Sequence, residues 1–138
     1  MHEFKMKNGV LHCEDVALTD IIRGHKTPFY LYSHATLIDH YGKIKDAFME
    51  GDPLICFSMK ANSNLSICKA LVNAGSGLDI VSGGELYKAL KIGCPADKIV
   101  YASVGKTPEE IRSAIKAGIL LFNVESVPEL IMIDTVAR

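Results

Sequence analysis

The sequence has no apolar run approaching the roughly 20 residues that a membrane-spanning helix needs, so no bilayer partner is expected. It has no basic block: 15 Lys and Arg stand against 16 Asp and Glu, a balance that excludes the charge footprint of a nucleic-acid-binding or anionic-membrane-binding protein. The opening MHEFKMKNGV lacks the apolar core of a signal peptide, so secretion is not expected. None of the four cysteines, Cys13, Cys56, Cys68 and Cys94, forms a C-x-x-C pair. Each lies among apolar residues and reads as a free, small, buried hydrophobe of a reducing compartment rather than a zinc ligand or disulfide half. The histidines, His2, His12, His25, His34 and His40, show no metal-ligand spacing, so no metal is expected. There is no low-complexity tract, linker or repeat.

What is present suits a globular chain. The 138 residues suffice for one ordinary domain, and 49% hydrophobic with 22% charged residues places them outside the disordered class. Asn8-Gly9 between Glu3–Lys7 and Val10–Cys13 predicts a hairpin, because both central residues of the favoured turn need positive φ. Asp15–Arg23 reads as a short helix capped by Gly24, and Pro28–Tyr32 as a short aromatic strand. Ser33 then predicts an N-cap for a helix whose Leu37, Ile38, Tyr41, Ile44 and Phe48 recur at helical spacing as a core stripe.

From Leu54 onward strands and helices alternate. Asn64 caps a helix that ends near Gly75, Leu78–Val81 is a strand, and Gly84–Ile92 is a helix ended by Gly93. Ile99–Ser103 is a strand, and Thr107-Pro108-Glu109-Glu110 opens a helix that runs to Gly118. Ile119–Val124 is a strand, and Ser126-Val127-Pro128-Glu129 opens the last helix. Counted from Pro28 there are five strand-helix units, which implies an α/β fold with parallel strands and right-handed crossovers. An open doubly wound sheet fits that count, whereas a full barrel needs eight units and about 250 residues.

The chain is organised around Leu54–Asn64, LICFSMKANSN. An apolar run bounded by polar turn residues reads as a buried strand, and it ends in Lys60. An amine at a partly desolvated mouth is a nucleophile, because desolvation disfavours its charged form. A lysine snorkelling to solvent is the alternative that spacing alone favours. Gly105-Lys106-Thr107 looks like the end of a P-loop but lacks the upstream glycine, and the capping box that follows explains it without a nucleotide. Ser82-Gly83-Gly84-Glu85 precedes a helix as an anion turn would. It reads instead as a tight turn with close packing, with Glu85 a first-turn carboxylate facing the helix dipole.

Taken together SMKANSN, GSGLDIVSGGELYKAL, KIVYASVGKTPEEI and FNVES, in this order, resemble the first part of a diaminopimelate decarboxylase. That family belongs to the pyridoxal-phosphate decarboxylases built on the alanine-racemase-like barrel. The resemblance runs from about Phe4 to the last residue. It implies a partial TIM (β/α) barrel of roughly four strand-helix units, with the Lys60 strand first, preceded by an N-terminal hairpin and strand segment. Residues 1–34 would then join a C-terminal β-domain and residues 35–138 would form the first half of a barrel. Half a barrel leaves sheet edges unpaired and deprives Val81, Val100 and Leu120 of partners on one side, so the chain is expected to be a fragment of a longer reading frame.

The resemblance also implies chemistry. Lys60 matches the lysine that holds pyridoxal phosphate as a Schiff base, and Asp79 matches an aspartate beside the cofactor. At an aspartate of this kind a strand-end carboxylate satisfied by loop amides is the alternative reading. Asn123 and Glu125 would support the floor of the same mouth by hydrogen bonds. The implied reaction converts meso-diaminopimelate to L-lysine and carbon dioxide. Ornithine, arginine or carboxynorspermidine decarboxylation is the nearest alternative, and a non-catalytic half-barrel is the alternative of a different class. A histidine over the ring, phosphate-binding glycines, an acid at the pyridine nitrogen and the substrate-selecting residues would lie beyond Arg138, so this stretch alone is expected not to turn over. A cytoplasmic homodimer acting on a small amino acid is implied for the parent enzyme.

Overall fold

A computed structural model describes residues 3–48 and 50–138, so Met1, His2 and Met49 lie outside the described residues. The chain divides into two compact units at about residue 49.

The first unit begins with the expected hairpin. β1 (Phe4–Lys7) pairs antiparallel with β2 (Val10–Cys13), with Phe4 opposite Cys13 and Lys7 opposite Val10. Asn8 and Gly9 take φ of 52° and 78°, the left-handed values the tight turn requires. Asp15 does not start a helix. Glu14 turns the chain at φ 56°, and β3 (Val16–Ala17) adds to β2 before α1 (Leu18–Gly24) begins. The β-branched Val16 opposite Cys13 favours the ladder over the helix. Gly24 is the last helical residue rather than a left-handed cap, because the chain leaves α1 through an extended His25 (φ −134°) and needs no reversal there.

Pro28–Tyr32 is not a strand. Proline has no N–H to donate, none of the described residues pairs with the segment, and Tyr30 is 90% exposed. α2 (His34–Ala47) starts as expected, Ser33 Oγ accepting from the Thr36 N–H. Glu14 ties the turn after β2 to this helix start, because one of its carboxylate oxygens accepts from the Ser33 hydroxyl and the Ala35 N–H. The α2 stripe is not core: Leu37, Ile38 and Tyr41 are half-buried and Ile44 and Phe48 are exposed. Periodicity marks an apolar face, whereas burial also needs a partner surface.

The second unit is a four-stranded parallel sheet in the order β4 (Cys56–Ser58), β5 (Gly77–Ile80), β6 (Ile99–Tyr101), β7 (Leu121–Phe122). The connections are α3 (Leu65–Asn73), α4 (Gly83–Lys91) and α5 (Pro108–Ala117), and α6 (Val127–Ala137) follows β7. Among the described residues there are therefore four strand-helix units rather than five, because residues 28–32 contribute no strand. The strand order never reverses. A doubly wound sheet must reverse at its switch point, whereas a barrel winds one way, so the open-sheet alternative falls and the architecture is a partial (β/α) barrel.

Strand alternation sorts the residues by face. Met59, Leu78, Ile80, Ile99 and Tyr101 are fully buried and pack with Cys68 of α3, Leu86 and Ala89 of α4, and Ala114 of α5. The row alternating the other way runs Ser58, Asp79, Val100, Leu121 in direct register. Its members are half-buried, apart from the exposed Leu121, and Leu120 is also exposed. Gly77 is required by close approach, since a Cβ there would stand 2.3 Å from the Lys98 carbonyl oxygen and 2.8 Å from Cys56 Sγ. All four cysteines are free, and burial pushes the thiols up, that of Cys94 to about 11. Among the described residues no helix is long and apolar enough to cross a membrane, and no three His, Cys, Asp or Glu side chains gather as metal ligands.

Candidate functional site

Because the strands are parallel, the C-terminal ends of all four open on one edge of the sheet, and every helix that follows starts there. Each start is capped by its own side chain. Asn64 accepts from the Ser66 and Ile67 N–H groups, Ser82 from Glu85, Thr107 from Glu110, and Ser126 from Glu129. The last three are Ser/Thr-x-x-Glu sequences, and their glutamates do more than face a helix dipole. Glu85 Oε2 accepts the Val81 N–H at 2.8 Å. Glu110 Oε2 accepts the Thr107 N–H at 3.0 Å, while its Oε1 crosses to the previous unit and accepts the Gly83 N–H at 2.7 Å. These N–H donors, Thr107 first and then Gly83, hold the Glu110 carboxyl below its ordinary value. A Cβ on Gly83 would lie 3.1 Å from Glu110 Cγ, in keeping with the close-packing reading of that glycine.

The β6–β7 end is closed by a pair that sequence reading did not find. Lys106, 6% exposed, donates from Nζ to the Ser103 carbonyl at 2.7 Å, to the Asn123 carbonyl at 2.8 Å and to Glu129 Oε1. Glu129 Oε2 accepts the Glu125 N–H at 2.7 Å. Lys106 foremost, then the Glu125 N–H, holds the Glu129 carboxyl below its ordinary value. All three hydrogens of Lys106 are thus directed at protein acceptors, which leaves none for a nucleotide phosphate. Asn123 and Glu125 do support this edge, but through a backbone carbonyl and N–H; their side chains are exposed. The visible signal for the pair was a lysine just before one capping box and the glutamate of the next.

The β4–β5 end is different. Ser58 and Asp79 are register partners, and the Ser58 hydroxyl donates to Asp79 Oδ2 at 3.0 Å. Asp79 Oδ1 is buried and has no hydrogen-bond partner among the described residues. The Met59 N–H donates to the Asp79 carbonyl at 2.9 Å, and Lys60 follows on the turn immediately beyond this last rung. Lys60 is exposed, so the partly desolvated mouth anticipated around it is not built by the described residues. Among those residues its side chain makes no hydrogen bond or ion pair. This edge thus offers an amine without a protein partner and, one rung away, a buried carboxylate oxygen without a donor. Buried polar atoms in proteins are nearly always satisfied, so Asp79 Oδ1 has room for one donor, from a water or from a bound group.

The second unit is thus a segment of a β/α barrel, with a lysine two residues beyond its first strand and a carboxylate on its second. The family model described as pyridoxal-dependent decarboxylase, pyridoxal binding domain, matches residues 34–138, and the chain belongs to that family. It is 47% identical over 131 residues to a diaminopimelate decarboxylase of Pseudomonas fluorescens, covering 94% of this chain and 31% of the relative. Among solved structures it is similar to the diaminopimelate decarboxylase of M. jannaschii in complex with L-lysine, with a TM-score of 0.93 and 33% identity over 99% of this chain and 33% of that one. The Helicobacter pylori enzyme, also complexed with L-lysine, matches with a TM-score of 0.82 and 45% identity over 86% of this chain and 30% of that one. The chain therefore spans about a third of the length of these relatives.

Proposed function

We propose that this chain carries the lysine and one supporting carboxylate of the pyridoxal phosphate site of an amino-acid decarboxylase, one that converts meso-diaminopimelate to L-lysine and carbon dioxide. The observation that carries the reading is the donorless, buried Asp79 Oδ1 one rung from an unpartnered Lys60. Pyridoxal phosphate is the cofactor of the family, and when bound it supplies an electron sink for the carbanion left by loss of carbon dioxide.

The rest belongs to this chain's residues. Lys60 Nζ would hold the cofactor at its aldehyde carbon and give it up to an incoming amino group. Asp79 Oδ1 would accept a hydrogen bond from the nitrogen at that position, keeping it protonated and oriented. The glutamates of the capping boxes hold the helix starts around the mouth. The substrate assignment is supported by relatives that are diaminopimelate decarboxylases and by two of their structures that hold L-lysine. Residues 1–34 as a segment joining a C-terminal β-domain, residues 35–138 as the first half of the barrel, a homodimer as the working form and a cytoplasmic location complete the proposal.

The test is the visible absorption of the intact protein loaded with pyridoxal phosphate. Lys60→Ala is expected to abolish the lysine-bound band while leaving the thermal transition in place. Retention of the band would remove Lys60 from the role.

A further inference from the structure

Ser58 is the register partner of Asp79 and lies two residues before Lys60. Its Cα faces that of Asp79 across the parallel ladder, and its hydroxyl is bound to Asp79 Oδ2 at 3.0 Å. The two oxygens of an aspartate are chemically equal, and the terminal torsion that exchanges them is soft and roughly two-fold. A hydroxyl donor on one side removes that equality. Here it engages Oδ2 and leaves Oδ1 as the buried oxygen without a donor.

We infer that Ser58 is a positioning residue: its hydroxyl fixes the Asp79 carboxylate so that Oδ1 alone is presented as the acceptor for the protonated Nζ of Lys60 when that lysine holds pyridoxal. This rests on the reading of Lys60 and Asp79 above. The register allows it without strain, because Ser58 and Asp79 share one face of neighbouring strands and Lys60 lies two residues beyond Ser58. Alanine at 58 would remove the donor that holds the Asp79 torsion, so the carboxylate would swing and neither oxygen would be kept aimed at the protonated nitrogen.

The experiment follows the visible band of the intact, pyridoxal-phosphate-loaded protein as pH is varied, alongside the thermal transition of the cofactor-free protein. In Ser58→Ala the pH midpoint of the band is expected to fall by roughly half a unit or more, the size of one weakened charge-assisted hydrogen bond. Ser58→Thr, which keeps the hydroxyl, is expected to stay near the unsubstituted midpoint. Ser58→Cys, close in shape but a weak donor, is expected to fall between, and it carries the test if the alanine variant does not fold. A role confined to sheet stability would lower the thermal transition and leave the midpoint where it was, and that result overturns the inference. If the unsubstituted protein shows no lysine-bound band, the Lys60 reading fails and takes this one with it. A normal band with an unmoved Ser58→Ala midpoint refutes this inference alone.

Discussion

Two lysines at the same edge of one sheet have opposite surroundings. At the β6–β7 end Lys106 is buried and its amine is used up by two carbonyls and the Glu129 carboxylate. At the β4–β5 end Lys60 is exposed, has no side-chain partner among the described residues, and lies two residues beyond Ser58, whose register partner Asp79 has one buried oxygen unmet. Burial alone would have singled out Lys106 as the chemically special lysine. Satisfaction of the hydrogen-bonding groups points the other way: a saturated amine is a clamp, and an amine with spare capacity beside an acceptor with spare capacity is a place for a ligand.

The comparison can be broken by mutation. Lys106→Ala leaves a buried carboxylate and two carbonyls without their donor, and breaking a buried pair on one side costs about 3–5 kcal/mol, which denaturant unfolding of the intact protein would read. Were Lys106→Ala to cost no more than a surface substitution, the clamp would not exist. Glu110→Ala removes the acceptor of the Thr107 and Gly83 N–H groups and should cost about 1–2 kcal/mol, visible as a lower urea midpoint with an unchanged slope.

A subtler effect lies in acid. The Glu129 carboxyl is held below its ordinary value of 4.5, chiefly by Lys106. A group lowered in the folded state adds stability that is present above its unfolded value and is lost as pH falls through its folded value. Stability should therefore decline from about pH 4.5 downward, and Glu129→Gln should flatten that part of the profile. An identical acid limb in the variant would detach Glu129 from it. The smallest effect on stability is expected at the other lysine, where Lys60→Ala should leave the thermal transition unmoved.

The local part of this fold could be read from the residues. Asn8-Gly9 specifies its turn, and Ser33, Asn64, Thr107 and Ser126 announce helix starts, because each cap is a contact within three residues. What needed a partner distant in sequence could not. Among the described residues Pro28–Tyr32 has strand composition but pairs with no strand, and the α2 stripe has helical spacing but is only half-buried or exposed. Ser58 meets Asp79 across 21 positions and Lys106 meets Glu129 across 23, and both pairs exist only because of strand register and order. Lys60 and Asp79 could be named by resemblance to a family. The hydroxyl that holds Asp79, and the clamp that makes Lys60 stand out by contrast, required the ladder.

We assign pyridoxal attachment to Lys60 and to none of the other lysines of the sheet and its helices. That assignment is tested most directly by loading the intact protein with pyridoxal phosphate, reducing the linkage with borohydride and mapping the modified peptide by mass. A stable adduct is expected on Lys60 and none on Lys106. An adduct on Lys106, Lys88 or Lys69 with Lys60 unmodified would contradict it.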